Sequence, residues 1–503
     1  MSNHWRQAAW VLGLCGSLSF GTTQAALAAT AAGQGSGLGS QAASPATGSA
    51  TPPVIGDPNR RIAPPPVGTA LRYDTEYPLI GYADKPTHNA VARLQERLDR
   101  GEVRLEFSPG RGYLDSLLKA LGIDPSSQTL VYSKTSLQID LIKATTPRAI
   151  YFDDTTYVAW IPETNMIEMT TMDSAVGPVF YTLPNRDPTS THLDRETSRC
   201  LTCHDTFSMM GGGVPRFLFM SSPVTVAGEP LTNEISKDTT DATPLRERWG
   251  GWYVTGVPNH ILHLGNLQVK GPAQPVQTLD SLKVAGHTVA KLDGVFDTKP
   301  YLTDHSDIVA LLVFEHQVYI ENLITRANYK ARTMVARLND GQAADALSWD
   351  QLPPKARPMV KAMLEPLVKA LLFVDATTLP ARIAGNSGFD RWFQSQGPRD
   401  AQGRSLRELD LTKHVFRYHL SYMIYGIGFE GLPTYAHDFV YQRIADILSG
   451  RDQSPAYSQI SAADRATALQ ILMQTKPAFA AFTQAHTVQT ASAQSAQSSS
   501  PTT

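Results

Sequence analysis

The chain has 503 residues and a formal net charge of −2, with no basic excess to draw it to nucleic acid. Its 42% hydrophobic content is ordinary for a globular protein. Beyond the N-terminal segment the nearest approach to a membrane helix, Leu364 to Val374, is interrupted by Lys369, so no membrane span is expected in the processed chain.

The first 28 residues read as an export signal. Arg6 gives a short positive start, Ala8 to Phe20 is mostly apolar, and Ala26-Leu27-Ala28 offers a small-x-small cleavage site. Leu14, just before Cys15, is too large for a lipoprotein signal. The expected location is therefore the periplasm or another exported compartment. Residues 29–68 are rich in Ala, Gly and Ser and then in proline, a composition that cannot bury a core and reads as a linker; 481–503 reads as a second polar tail.

Between them the expected class is α+β. A mixed region, 69–300, precedes a helical region, 301–480, packed on it. Val91 to Arg100 and Leu114 to Leu121 have helical character. Ala149 to Phe152 and Thr156 to Ile161 flank a turn at Asp153-Asp154, and Met166 to Met172 and Val179 to Leu183 continue the strand texture. Asp194 to Ser198 reads as a helix start, and Phe217 to Val226 and Trp252 to Val257 as further strands. Helices are then expected at Asp307 to Lys330, Leu352 to Leu372, Leu411 to Tyr425 and Ala436 to Leu448, with a last one capped by Ser461.

The most specific feature is Cys200-Leu201-Thr202-Cys203-His204. C-x-x-C-H is the attachment pattern of c-type haem. Each thiol adds across one vinyl group, and the adjoining imidazole reaches the iron as proximal ligand. Loss of Cys15 with the signal leaves only Cys200 and Cys203. Two other chemistries use the same cysteines. A thioredoxin-type pair wants a strand and an aromatic residue before it, where this chain has Glu196-Thr197-Ser198-Arg199. A Cys2His2 zinc site completed by His260 and His263 has workable spacing but leaves His204 without a role.

The sixth iron position separates an electron carrier from a small-molecule enzyme. Met209 and Met210 lie too soon after His204 for easy access to the opposite face. Met220, His263 and His316 are the distal candidates, with His305 behind them. Each histidine competes with a plain role as a hydrogen-bonded core residue. Gly211-Gly212-Gly213 suits close backbone approach to a flat ligand or a turn needing positive φ. Arg248, Trp249 and Trp252 could supply donors to haem propionates; the competing reading is an Arg–aromatic stack packing a β-turn.

Through Cys200-Leu201-Thr202-Cys203-His204 the chain resembles the c-type cytochromes. Its size and segments such as Glu247-Arg248-Trp249-Gly250-Gly251-Trp252-Tyr253-Val254-Thr255-Gly256 and Gly403-Arg404-Ser405-Leu406-Arg407 look like a group of large exported bacterial monohaem proteins without an assigned reaction. The resemblance implies one covalent haem c and export, and no substrate. The expectation is a periplasmic monohaem cytochrome passing electrons to a redox partner protein. The alternative is a haem enzyme with an open distal site, peroxidase- or oxygenase-like, acting on a small molecule. A haem-based sensor is a third reading.

Overall fold

The computed structural model describes residues 74–186, 188–189, 191–205, 213–231, 236–270 and 286–486. The signal segment, the linker, Met209, Met210, Gly211 and Gly212 lie outside them. The fold is α+β: an antiparallel sheet in the N-terminal half and helices mainly in the C-terminal half.

Two helices come first. Helix α1 (Ala90–Asp99) starts where the Asn89 side chain accepts the Ala92 N–H at 2.9 Å. Helix α2 (Leu114–Leu121) ends at Gly122, whose φ of 76° suits a residue without Cβ. Six strands follow: β1 (Thr129–Val131), β2 (Arg148–Phe152), β3 (Thr156–Trp160), β4 (Met166–Asp173), β5 (Gly177–Pro184) and β6 (Asp194–Glu196). They pair in sequence order as an antiparallel meander. The β2–β3 turn is closed by Asp153, whose Oδ1 accepts the Thr155 and Thr156 N–H groups at 2.8 Å each.

Asp194 to Ser198 does not start a helix. Asp194, Arg195 and Glu196 pair with Thr182, Tyr181 and Phe180 as the edge strand. Arg195 fixes that edge by donating to the carbonyls of Tyr82 and Lys85. Ladder bonds outweigh the capping tendency of these residues. Phe217 to Val226 forms two short strand pairings, Met220–Ser221 with Lys237–Asp238 and Val224–Thr225 with Gln268–Val269, and an isolated bridge from Val224 to Pro230. Trp252 to Val257 is held by isolated bridges, Trp252 to Val131 and Thr255 to Val289 and Asp307.

The second half is built round α4 (Ile308–Leu338), 31 residues long. By length and composition it could cross a membrane, yet 83% of its most apolar stretch is buried inside the fold. It is the central core helix, which explains its apolar girth. Helix α5 (Arg357–Leu371) starts later than the periodicity suggests because Pro353 and Pro354 precede it. Then come α6 (Phe389–Ser395), α7 (Ile427–Glu430), α8 (Thr434–Leu448) and α9 (Ala462–Thr475). Leu411 to Tyr425 is not a helix beyond a short 3-10 turn at Tyr422–Tyr425. Leu411 takes a φ of 54°, and Asp410 Oδ2 accepts the N–H groups of Lys413 and His414 at 2.8 Å. The apolar period there serves packing of a turn. The tail expected from 481 is still helical through residue 486.

One core spans the two halves: Ile150, Phe152 and Tyr157 of the sheet cluster with Phe314 of α4, Leu364 of α5 and Ile444 of α8. No break falls near residue 300. Asp307 joins the parts. It caps α4 through Val309 N–H at 2.8 Å and accepts Asn386 and Ser387 N–H at 2.8 and 2.9 Å, while fully buried. Asp307→Ala leaves the buried Val309 N–H and the part-buried Asn386 and Ser387 N–H groups without their acceptor and is expected to cost about 2–4 kcal/mol in urea denaturation. A loss below about 1 kcal/mol would show that water replaces the carboxylate.

Candidate functional site around Cys200, Cys203 and His204

The motif folds as a single helical turn, α3 (Leu201–His204), with Cys203 and His204 N–H both donating to the Cys200 carbonyl. Residues three and four apart share one side of such a turn, so Cys200, Cys203 and His204 converge. Leu201 is buried and anchors the turn in the core; Cys200 and His204 are half-buried and Cys203 is exposed. The two cysteines are not disulfide-bonded.

The sheet supplies the floor. Strand register lines up Phe152, Tyr157, Thr170, Phe180 and Glu196 on one face. The His204 ring lies on Phe180, centroids 4.4 Å apart. Arg199 pairs with Glu196. At the other end of the row, Tyr157 and Phe152 pack on Phe314 of α4 at 5.1 and 4.9 Å.

The segment after the motif turns back through Gly213, whose φ of 77° needs glycine. It brings Arg216 alongside. The Arg216 N–H donates to the His204 carbonyl at 3.0 Å, and its own carbonyl lies 2.8 Å from His204 Nδ1. A carbonyl only accepts, so Nδ1 carries the proton. Nε2 is then the bare lone pair, and it has no hydrogen-bond partner among the described residues. Asn322 of α4 holds the next residue at both polar atoms, accepting Phe217 N–H at 2.8 Å and donating to its carbonyl at 3.0 Å.

Burial pushes the His204 pKa down to about 4, aided by the nearby Arg216 and Arg148 cations and opposed by the Arg216 carbonyl. The ring is therefore neutral at pH 7, as a metal ligand requires. Burial, with Glu196 and Glu168, pushes the Cys200 thiol up to about 12. A disulfide-exchange pair needs a thiolate near neutrality, so this environment runs against thioredoxin-type chemistry. Among the described residues no three His, Cys, Asp or Glu side chains converge as a metal site, so the zinc alternative gains no support.

The other candidates gather in a second cluster. None of Met220, Arg248, Trp249, Trp252, His263 and His316 shares a hydrogen bond, ion pair or ring contact with His204. Arg248 spends its donors inside the protein, on Glu315 at 2.8 Å, the Thr243 carbonyl at 2.7 Å and the Asp241 carbonyl at 3.0 Å. Trp252 Nε1 donates to the Met220 carbonyl at 2.8 Å and its ring stacks on Phe219 at 4.4 Å. Trp249 stands edge-on to His263 at 5.2 Å. A Cβ on Gly250 would meet Pro223 N at 2.5 Å, so the Trp-Gly-Gly-Trp turn is pressed against its neighbour. The segment is thus packed into the protein, and Arg248 meets carboxylate and carbonyl oxygens rather than an aromatic face.

His316 has both nitrogens engaged, Nδ1 with Asp241 at 2.9 Å and Nε2 with Ser421 at 2.6 Å. The geometry is that of a Ser-His-Asp relay. However, Ser421 is fully buried and its Oγ also accepts the Met423 N–H at 3.1 Å, so it caps a turn and is closed to substrate. The adjoining cavity, lined by His316, His414 and Phe416, holds about 30 Å³. That is the space of a water molecule, not of a porphyrin.

His263 is fully buried, its Nε2 3.3 Å from Thr288 Oγ1, and burial lowers its pKa to about 4. The folded state therefore binds fewer protons than the unfolded chain between about pH 4 and pH 6.5. Its contribution is complete above pH 6.5 and is lost as the pH falls, up to about 3 kcal/mol. His263→Phe is expected to flatten that part of the stability–pH curve in urea titrations; an unchanged slope would mean that His263 does not titrate with unfolding.

Of the residues that shape the His204 environment, Arg216, Asn322, Phe180 and Arg148 carried no signal in the sequence. The glycine run before Arg216 was the one hint that the chain doubles back. Comparisons with protein-family models, curated proteins and solved structures found no match.

Proposed function

We propose that the protein is an exported monohaem c-type cytochrome that passes single electrons to or from a redox partner. The observation that carries this is His204: it follows C-x-x-C, is neutral, and is held by the Arg216 carbonyl with Nε2 left for a metal. The donors fit the group. Cys200 and Cys203 would hold it, each thiol adding S–H across one vinyl double bond so that a C–S bond forms and the hydrogen goes to the other carbon, with no net oxidation. His204 Nε2 would hold the iron, with the Arg216 carbonyl fixing the ring's orientation and raising its basicity. When bound, the haem iron supplies a one-electron couple.

A second reading, a haem enzyme with an open sixth position, is favoured by the commitments of the two histidine candidates. His316 uses both nitrogens within the core, and His263 is packed against Trp249 and Thr288.

Visible spectra of the protein made with a haem-maturation system test both. A low-spin reduced spectrum indifferent to carbon monoxide is expected for the carrier. A spectrum that shifts under carbon monoxide would move the assignment to the enzyme. Absence of covalent haem would overturn both.

A further inference from the structure

The strongest unexplained feature near His204 is the Arg216 side chain. It is 7% exposed, and its Nε and Nη2 have no hydrogen-bond partner. Its contact with Asp238 is end-on, through Nη1 alone at 3.0 Å. A guanidinium beside a carboxylate usually presents its planar fork and makes two parallel bonds. Here that fork is left unused on a buried cation. Leaving such donors unpaired on a buried cation is unfavourable, so the arrangement makes sense if another anion takes them. Lys237 of the same short pairing is already held by Glu247, and Arg148 by Glu168 at 3.4 Å.

The backbone of the same residue clamps His204 at two atoms, so the guanidinium is fixed in relation to the imidazole. Resting on the covalent-haem reading above, we infer that the free fork of Arg216 binds a carboxylate of the cofactor, a haem propionate. The anion would arrive with the group that Cys200 and Cys203 hold, and the cation that receives it lies on the irregular segment whose backbone orients the His204 imidazole. Arg248, Trp249 and Trp252, expected for this role from composition, have Arg248 and Trp252 donors already spent elsewhere.

The test compares haem-loaded wild type with Arg216→Gln and Arg216→Lys. Resonance Raman spectra read the propionate bending bands, and redox titration reads the midpoint potential. Arg216→Gln is expected to shift those bands and lower the potential, because loss of a buried positive charge favours the ferric form. Arg216→Lys keeps the charge but not the fork, and is expected to shift the bands with a smaller change in potential. Bands and potential are read per covalently bound haem, so that differences in loading do not enter the comparison. Wild-type bands in both variants would overturn the inference while leaving the cytochrome reading standing. Wild type without covalent haem would overturn the reading and the inference with it. Should Arg216→Gln fail to fold, the bands of Arg216→Lys decide.

Discussion

Replacing Cys200 and Cys203 together by alanine is expected to abolish covalent haem completely, so that a denaturing gel stained for haem peroxidase activity shows no band where the wild type does. The loss should be chemical and not structural. Cys203 is exposed and Cys200 half-buried, so the combined cost to folding is about 1 kcal/mol or less. Each single variant keeps one thioether and should stain. His204→Ala separates attachment from ligation. It leaves both thiols but removes the nitrogen oriented by Arg216, so the haem that is attached is expected to be high-spin. Equal staining of the wild type and the double variant would mean that any haem present is held by other residues.

Arg248→Ala is expected to be the most destabilising substitution in the chain, by about 3–5 kcal/mol. The Arg248–Glu315 pair is 2.8 Å long with side chains 5% and 0% exposed. Removing the cation strands a buried carboxyl whose pKa burial already pushes up to about 7, against the pull of Arg248. The Thr243 and Asp241 carbonyls each lose one donor and keep only their bonds from Thr377. Pairing Arg248→Met with Glu315→Met is expected to recover much of the loss, because no charge is then left in the core. Urea denaturation of the two single variants and the double variant gives the coupling. Simple additivity would show that the pair contributes no interaction energy and that the cost lies in the other contacts.

The two experiments address different links in the chain of cause. The cysteines are cheap for the fold and decisive for the proposed chemistry. Arg248 is decisive for the fold, and its donors face Glu315, Thr243 and Asp241 rather than His204.

Local pattern carried much of the architecture. Leu114 to Leu121 reads as a helix because its apolar spacing is a local fact, and the structure has that helix with those bounds. The Asp153-Asp154 turn and the strands on either side were equally legible, since side-chain capping of a turn and a period of two need only neighbours in sequence. Asp194 to Glu196 was misread because the ladder partner that makes it a strand, Thr182 to Phe180, is distant in sequence. Leu411 to Tyr425 misled for a related reason: aromatic residues spaced like a helix instead pack a turn that Asp410 holds.

By itself the sequence determined the α+β class and the convergence of Cys200, Cys203 and His204, because residues at i, i+3 and i+4 share a face of any helical turn. Tertiary structure alone decided which nitrogen of His204 is left bare, and that a 31-residue apolar helix is core. It also decided that Arg216, rather than Arg248, stands beside the motif with donors to spare. The physical reason is one of range. Spacing along the chain fixes what a few bonds can fix, whereas tautomer, burial and unpaired donors depend on groups that folding brings together from distant segments.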